Sequence, residues 1–239
     1  MHRFANPARF LRLSRALLPW YSGLFVVLMA AGLWLALVHS PPDYQQGESV
    51  RIMYVHVPAA WLSLLAYASL GAAGFCSLVW RHPLADVYIR ATAPVGACFT
   101  LVCLATGSLW GRPMWNTWWV WQDTRLTSVL ILFFLYLGVM ALGRAFDNPE
   151  RGGGAAALLS LVGLVNLPVI KFSVDWWNSL HQPASVLRLA GPALDPSMLL
   201  PLLVMAGAFL CLFILLSLMR TETALLERRA ELLRLGVRP

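Results

Sequence analysis

Two of the five histidines in this 239-residue sequence sit where an imidazole can do chemistry. His56, in RIMYVHVPAAW, falls at or just inside the rim of an apolar stretch, beside Tyr54 and Trp61. An ionisable ring there is costly unless it faces a cavity or a partner. His181, in DWWNSLHQPAS, follows two tryptophans and precedes Pro183 in a connecting segment. The others are plainer: His2 is in the N-terminal tail, His82 in a short turn, and His39 ends an apolar stretch ahead of Pro-Pro. Either His56 or His181 alone is open to a structural role. As a pair, two imidazoles suit axial coordination of a haem iron from opposite sides, a low-spin six-coordinate site. Zinc wants three or four ligands, and Asp43, Glu48, Asp123 and Asp175 show no matching spacing.

A porphyrin also needs an apolar bed and cations for its propionates. Residues 110–128 read WGRPMWNTWWVWQDTRLTS, with five of the eleven tryptophans in the first twelve positions. Trp115, Trp118, Trp119 and Trp121 can supply the bed through their π faces. Arg51, Arg112, Arg125 and Arg188 are the guanidiniums able to fork onto carboxylates. Asp123 has two readings. It hydrogen-bonds indole N–H groups or holds Arg125, or it caps a helix that begins near Thr127. No GxGxxG or P-loop is present, so no nucleotide site is expected. Nor is any Ser-His-Asp or Cys-His arrangement legible.

The elements that must position these residues follow from composition. The chain is 59% hydrophobic and 12% charged, where a soluble domain averages about 25% charged. Six segments are long enough to span a bilayer, which takes about 20 apolar residues: 20–39, 53–80, 88–110, 127–146, 154–172 and 196–219. The expected fold is an all-α integral membrane protein of six transmembrane helices. It forms one domain over 1–239, with a Trp-rich loop at 111–126 between the third and fourth helices.

Thirteen of the eighteen Lys and Arg residues flank one side, from Arg3, Arg9, Arg12 and Arg15 to Arg220, Arg228, Arg229, Arg234 and Arg238. By the positive-inside rule both termini are cytoplasmic and the tryptophan loop faces out. The net charge of +7 belongs to these flanks and to anionic lipid rather than to nucleic acid. Cys76, Cys98, Cys103 and Cys211 fall inside spans without C-x-x-C spacing and read as small apolar packers. Trp177 and His181, four apart, would share one face of a short amphipathic helix ended by Pro183. Pro58 fits a first helical turn if the second span starts near it.

The stretch WGRPMWNTWWVWQDTRLTS resembles the tryptophan-rich signature of the cytochrome c assembly superfamily. With RIMYVHVPAAW, LTSVLILFFLYLGVMAL and VNLPVIKFSVDWWNSLHQPAS, most of the chain is similar to the haem exporter protein C family, also called cytochrome c maturation protein C. The resemblance implies a six-helix protein of the bacterial inner membrane that presents non-covalent, b-type haem on the periplasmic face. His56 and His181 would be the axial ligands, and the tryptophan loop the haem surface. It also implies delivery to a periplasmic haem chaperone (the E component), alongside an ABC transporter pair (A and B subunits) and a small single-span D subunit. It implies no enzymatic activity. The sequence departs from the family pattern at Asn116, where glycine is usual, and at Gln122, which separates Trp121 from Asp123. A b-type redox protein working with quinone is the alternative class, and a haem permease the third.

Overall fold

The computed structural model describes residues 6–183, 185–186, 188–234 and 236; Arg3, Arg238 and His2 lie outside them. Seven α-helices carry the chain: α1 (Pro7–Trp34), α2 (Met53–Trp80), α3 (Pro83–Trp115), α4 (Thr124–Leu142), α5 (Pro149–Val162), α6 (Asn166–Trp176) and α7 (Pro196–Arg234). A single 3₁₀ turn, Gly163–Val165, joins α5 to α6 into one span, so six segments are long and apolar enough to cross a membrane. The expected all-α, six-span architecture holds. An even number of crossings returns both ends of the chain to one side.

Most of the helices overrun the apolar cores read from the sequence; the second matches its core, and the fourth ends at Leu142, short of 146. The first continues as a π-turn to His39, and the third runs from Pro83 to Trp115, about 50 Å at 1.5 Å per residue. Their starts are written locally. Asn6, His82 and Asn148 each place a side-chain acceptor on the first free N–H groups and are each followed by proline at the first helical position. The second span begins at Met53, as expected, but Pro58 does not sit in its first turn. A 3₁₀ turn, Glu48–Ile52, leads into Met53, so Pro58 lies in the second turn of α2 rather than the first.

α2 is the hub, packed against α3, α5 and α7, while α1 lies along α7 at the periphery. Between apolar helices in lipid, association rests on close packing and interhelical hydrogen bonds rather than on the hydrophobic effect. Gly74 shows the packing: a Cβ there would stand 2.5 Å from the backbone oxygen of Ala157, so α2 and α5 touch backbone to backbone. Buried tyrosines supply the bonds. Tyr136 donates to the Ser63 carbonyl at 2.7 Å and Tyr67 to the Leu159 carbonyl at 3.1 Å, with their rings edge to face at 5.0 Å.

Candidate functional site

The start of α2, the end of α3, the start of α4 and the end of α6 converge at one end of the bundle with the segments that follow α3 and α6, and both candidate histidines lie there. His56 stands on the first turns of α2 and is braced by α3. Its Nδ1 is 3.1 Å from the Cys103 carbonyl and 3.0 Å from Thr106 Oγ1. The Thr106 hydroxyl already donates to the Val102 carbonyl at 2.6 Å. Both neighbours of Nδ1 are therefore acceptors, so Nδ1 carries the proton and Nε2 presents a lone pair. Gly107 leaves room for the ring: a Cβ there would meet His56 Cε1 at 3.0 Å.

His181 is held by the same logic with different parts. Its Nδ1 lies 3.4 Å from Ser179 Oγ and 3.5 Å from Asp123 Oδ1. The Ser179 hydroxyl donates to Asp123 Oδ2 at 2.8 Å, so here too acceptors surround Nδ1 and leave Nε2 as the lone pair. Neither Nε2 has a hydrogen-bond partner among the described residues. Each ring meets a different tryptophan of the last turns of α3, edge on: His56 meets Trp110 at 5.7 Å and His181 meets Trp115 at 5.2 Å.

Asp123 is the junction of the site. As the N-cap of α4 it accepts from Leu126 N at 3.0 Å, which is the capping alternative. It also accepts from Leu180 N at 2.8 Å, binding the His181 segment to the tryptophan loop. Burial opposes the charge, but contacts with His181, the Leu126 and Leu180 amides and Ser179 outweigh it and hold the carboxyl well below the usual range. Bonds to indole N–H groups, the other expectation, do not form among the described residues. Arg125 instead donates through Nε to Ser173 Oγ at 3.1 Å, tying α4 to α6.

The expected short helix carrying Trp177 and His181 is absent. α6 stops at Trp176, and Trp177 is extended (φ −135°, ψ 161°). The amides that would continue a helix are taken by side chains, Leu180 N by Asp123 and His181 N by Ser179 Oγ at 3.1 Å. The tryptophan segment is likewise not all loop: Gly111–Trp115 end α3 and Thr124–Leu126 begin α4. α3 terminates at Asn116 in the left-handed region (φ 55°), which accounts for glycine in the family pattern, and asparagine is the next residue to tolerate it. Gln122 is accommodated in a turn, and Asp123 still reaches its cap position, with its N–H on the Val120 carbonyl.

The tryptophans do not form one flat wall. Trp118 and Trp121 are exposed, and Trp119 meets Trp121 at 66° between planes. Trp119 Nε1 is buried without an acceptor, a cost of about 1–3 kcal/mol that a rearranged loop or a ligand carboxylate would relieve. Three of the four arginines proposed for propionates, Arg51, Arg112 and Arg125, have internal partners. Arg51 reaches Glu48 and the Ala36 carbonyl (2.6 Å), and Arg112 reaches the Asn116 carbonyl (2.6 Å). Arg188 is exposed.

The sequence reading missed Thr106, the Cys103 carbonyl, Gly107 and Ser179. Only Ser179, two residues before His181 and able to bond locally, left a trace there. Among the described residues no group of three or more His, Cys, Asp or Glu able to hold a metal occurs. Two tautomer-fixed imidazoles with open Nε2 atoms, inside an aromatic rim, fit a haem iron.

Fold and site together define a multi-pass membrane protein with an aromatic, histidine-bearing centre at one end of its helix bundle. The chain belongs to the family described as "Heme exporter protein C", which it matches over residues 1–235. It is 57% identical over 231 residues to "Heme exporter protein C" of Bradyrhizobium diazoefficiens, covering 97% of this chain and 87% of that one. With the protein of the same name from Escherichia coli K12 it shares 46% over 226 residues, 95% and 91% of the two chains. A "Putative cytochrome c biosynthesis ccmC-like mitochondrial protein" of Arabidopsis thaliana is 44% identical over 208 residues, 86% and 77% of the two.

Proposed function

We propose that this protein handles haem as cargo during the biogenesis of c-type cytochromes, presenting it at the outer face of the bacterial inner membrane for transfer to a periplasmic haem chaperone. The observation that carries this reading is the matched preparation of His56 and His181. Each has Nδ1 enclosed by acceptors and Nε2 open, at the end of the bundle where the tryptophans gather. The family and the names of its relatives support haem export and cytochrome c assembly as the setting.

His56 and His181 would hold the iron non-covalently, as in a b-type haem, and Trp115, Trp118, Trp119 and Trp121 would cover the ring. Arg51, Arg112, Arg125 and Arg188 stand at the rim as candidates for the propionates. The bias of arginine towards the other end supports a reading with both termini in the cytoplasm and the site in the periplasm. An ABC transporter pair and a small single-span subunit are the expected partners, and no catalytic step is assigned to the chain. Iron bound by two imidazoles has a distinctive visible spectrum, so purified protein should show a low-spin six-coordinate Soret and α/β pattern. His56→Ala and His181→Ala should each abolish that pattern. If both leave it intact, the site is elsewhere. Reduction of the bound haem by a quinol, with no transfer to the chaperone, would favour the redox alternative.

A further inference from the structure

The two histidines are held by unequal means. His56 sits on a span and is braced by the backbone and a hydroxyl of another span, α3. His181 lies on a non-helical segment, and its Nδ1 is faced by a carboxylate that also closes the tryptophan loop and caps α4. Asp123 comes 58 residues before His181 and fixes it through three contacts: Ser179 Oγ, Leu180 N and, at 3.5 Å, the imidazole itself. Its side chain is 1% exposed, so these contacts do not compete with water.

We propose that Asp123 is the positioning residue of the site. It sets the tautomer and aim of His181 and ties that ligand to the tryptophan loop, while His56 is held by α3. The inference rests on the haem reading above and assigns its two ligands different roles. A carboxylate on the far nitrogen of a ligating histidine fixes ring orientation and strengthens donation to the metal. The charge favours ferric over ferrous iron, so its removal raises the reduction potential. Because Asp123 also stitches the His181 segment to the loop beneath the tryptophans, loosening one loosens the other.

Asp123→Asn tests the assignment, because asparagine caps a helix about as well as aspartate and so spares α4 while removing the charge. The haem-bound variant should show a more positive midpoint potential, a high-spin five-coordinate component, and haem affinity lower by about 10–100-fold. Added imidazole should restore the low-spin spectrum, and Asp123→Glu should recover part of the potential. Thr106→Val, on the His56 side, should weaken binding without the imidazole-reversible high-spin component. In haem-free protein, Asp123→Ala should speed hydrogen exchange at the Leu180 amide, a readout independent of haem. Unchanged potential and spin state in Asp123→Asn overturn the proposal even if the wild-type spectrum is bis-imidazole. A wild-type protein lacking that spectrum overturns the haem reading itself, and unchanged Leu180 exchange overturns the geometric premise.

Discussion

Gly107→Ala separates the site from the fold by a single methyl group. The new Cβ would lie 3.0 Å from His56 Cε1 and 3.5 Å from its Nδ1, so the ring must move by a few tenths of an ångström. That motion strains the Nδ1 contacts to the Cys103 carbonyl and Thr106 Oγ1, and one such bond is worth about 0.5–1.5 kcal/mol net. Alanine in mid-helix gains about 1 kcal/mol over glycine. The two nearly cancel, leaving a stability change within about 1 kcal/mol of zero. The aim of Nε2 is not compensated, and haem affinity should drop by about 10–100-fold, as for other perturbations of a ligand's support. Haem titration into detergent-solubilised apoprotein, followed in the Soret region, reads the affinity, and thermal unfolding of the same sample reads the fold. Gly23→Ala, where nothing lies within 4 Å of the new Cβ, controls for helix propensity. Unchanged haem affinity in Gly107→Ala would refute the placement of His56 against α3.

Other substitutions test the frame that holds the site. At Asn116 (φ 55°), Asn116→Val should destabilise by about 1–2 kcal/mol, whereas Asn116→Gly keeps the backbone and loses only the Arg112 contact. Thermal unfolding of the pair tells them apart. Gly74→Ala drives a methyl into the Ala157 carbonyl, which cannot rotate away. Overpacking of this kind costs about 1–3 kcal/mol and should appear as a lower thermal midpoint in detergent.

Much of the fold was legible because a membrane permits few solutions. Backbone polar groups must be satisfied within each segment, so a long apolar run becomes a helix. The run 53–80 coincides with α2 residue for residue. Local capping went unread at three helix starts: Asn6, His82 and Asn148, each followed by proline, start α1, α3 and α5 ahead of the apolar runs. The segment after Trp176 was misread, since i, i+4 spacing describes a helix only if the amides are free to make one. Those of Leu180 and His181 are drawn off by Asp123 and Ser179. Of the readings of Asp123, the cap on α4 holds, and the bonds to indole N–H groups do not form among the described residues. Its cap on α4 is three residues away and visible, but its hold on the His181 segment spans 56 to 58 residues.

Residue types and their order thus determined six apolar spans, the end of the bundle rich in indole and imidazole, and the two histidines worth mutating. All of these depend on one-dimensional pattern and hydropathy. Only the tertiary structure decided which nitrogen of each histidine is open. That depends on Thr106 and Ser179 having already given their protons to Val102 and Asp123. Only the packed helices, likewise, set His56 on a span and His181 on a carboxylate-held segment. Hydrogen bonds between distant residues carry no sequence periodicity, so their partners emerge only once the helices have packed.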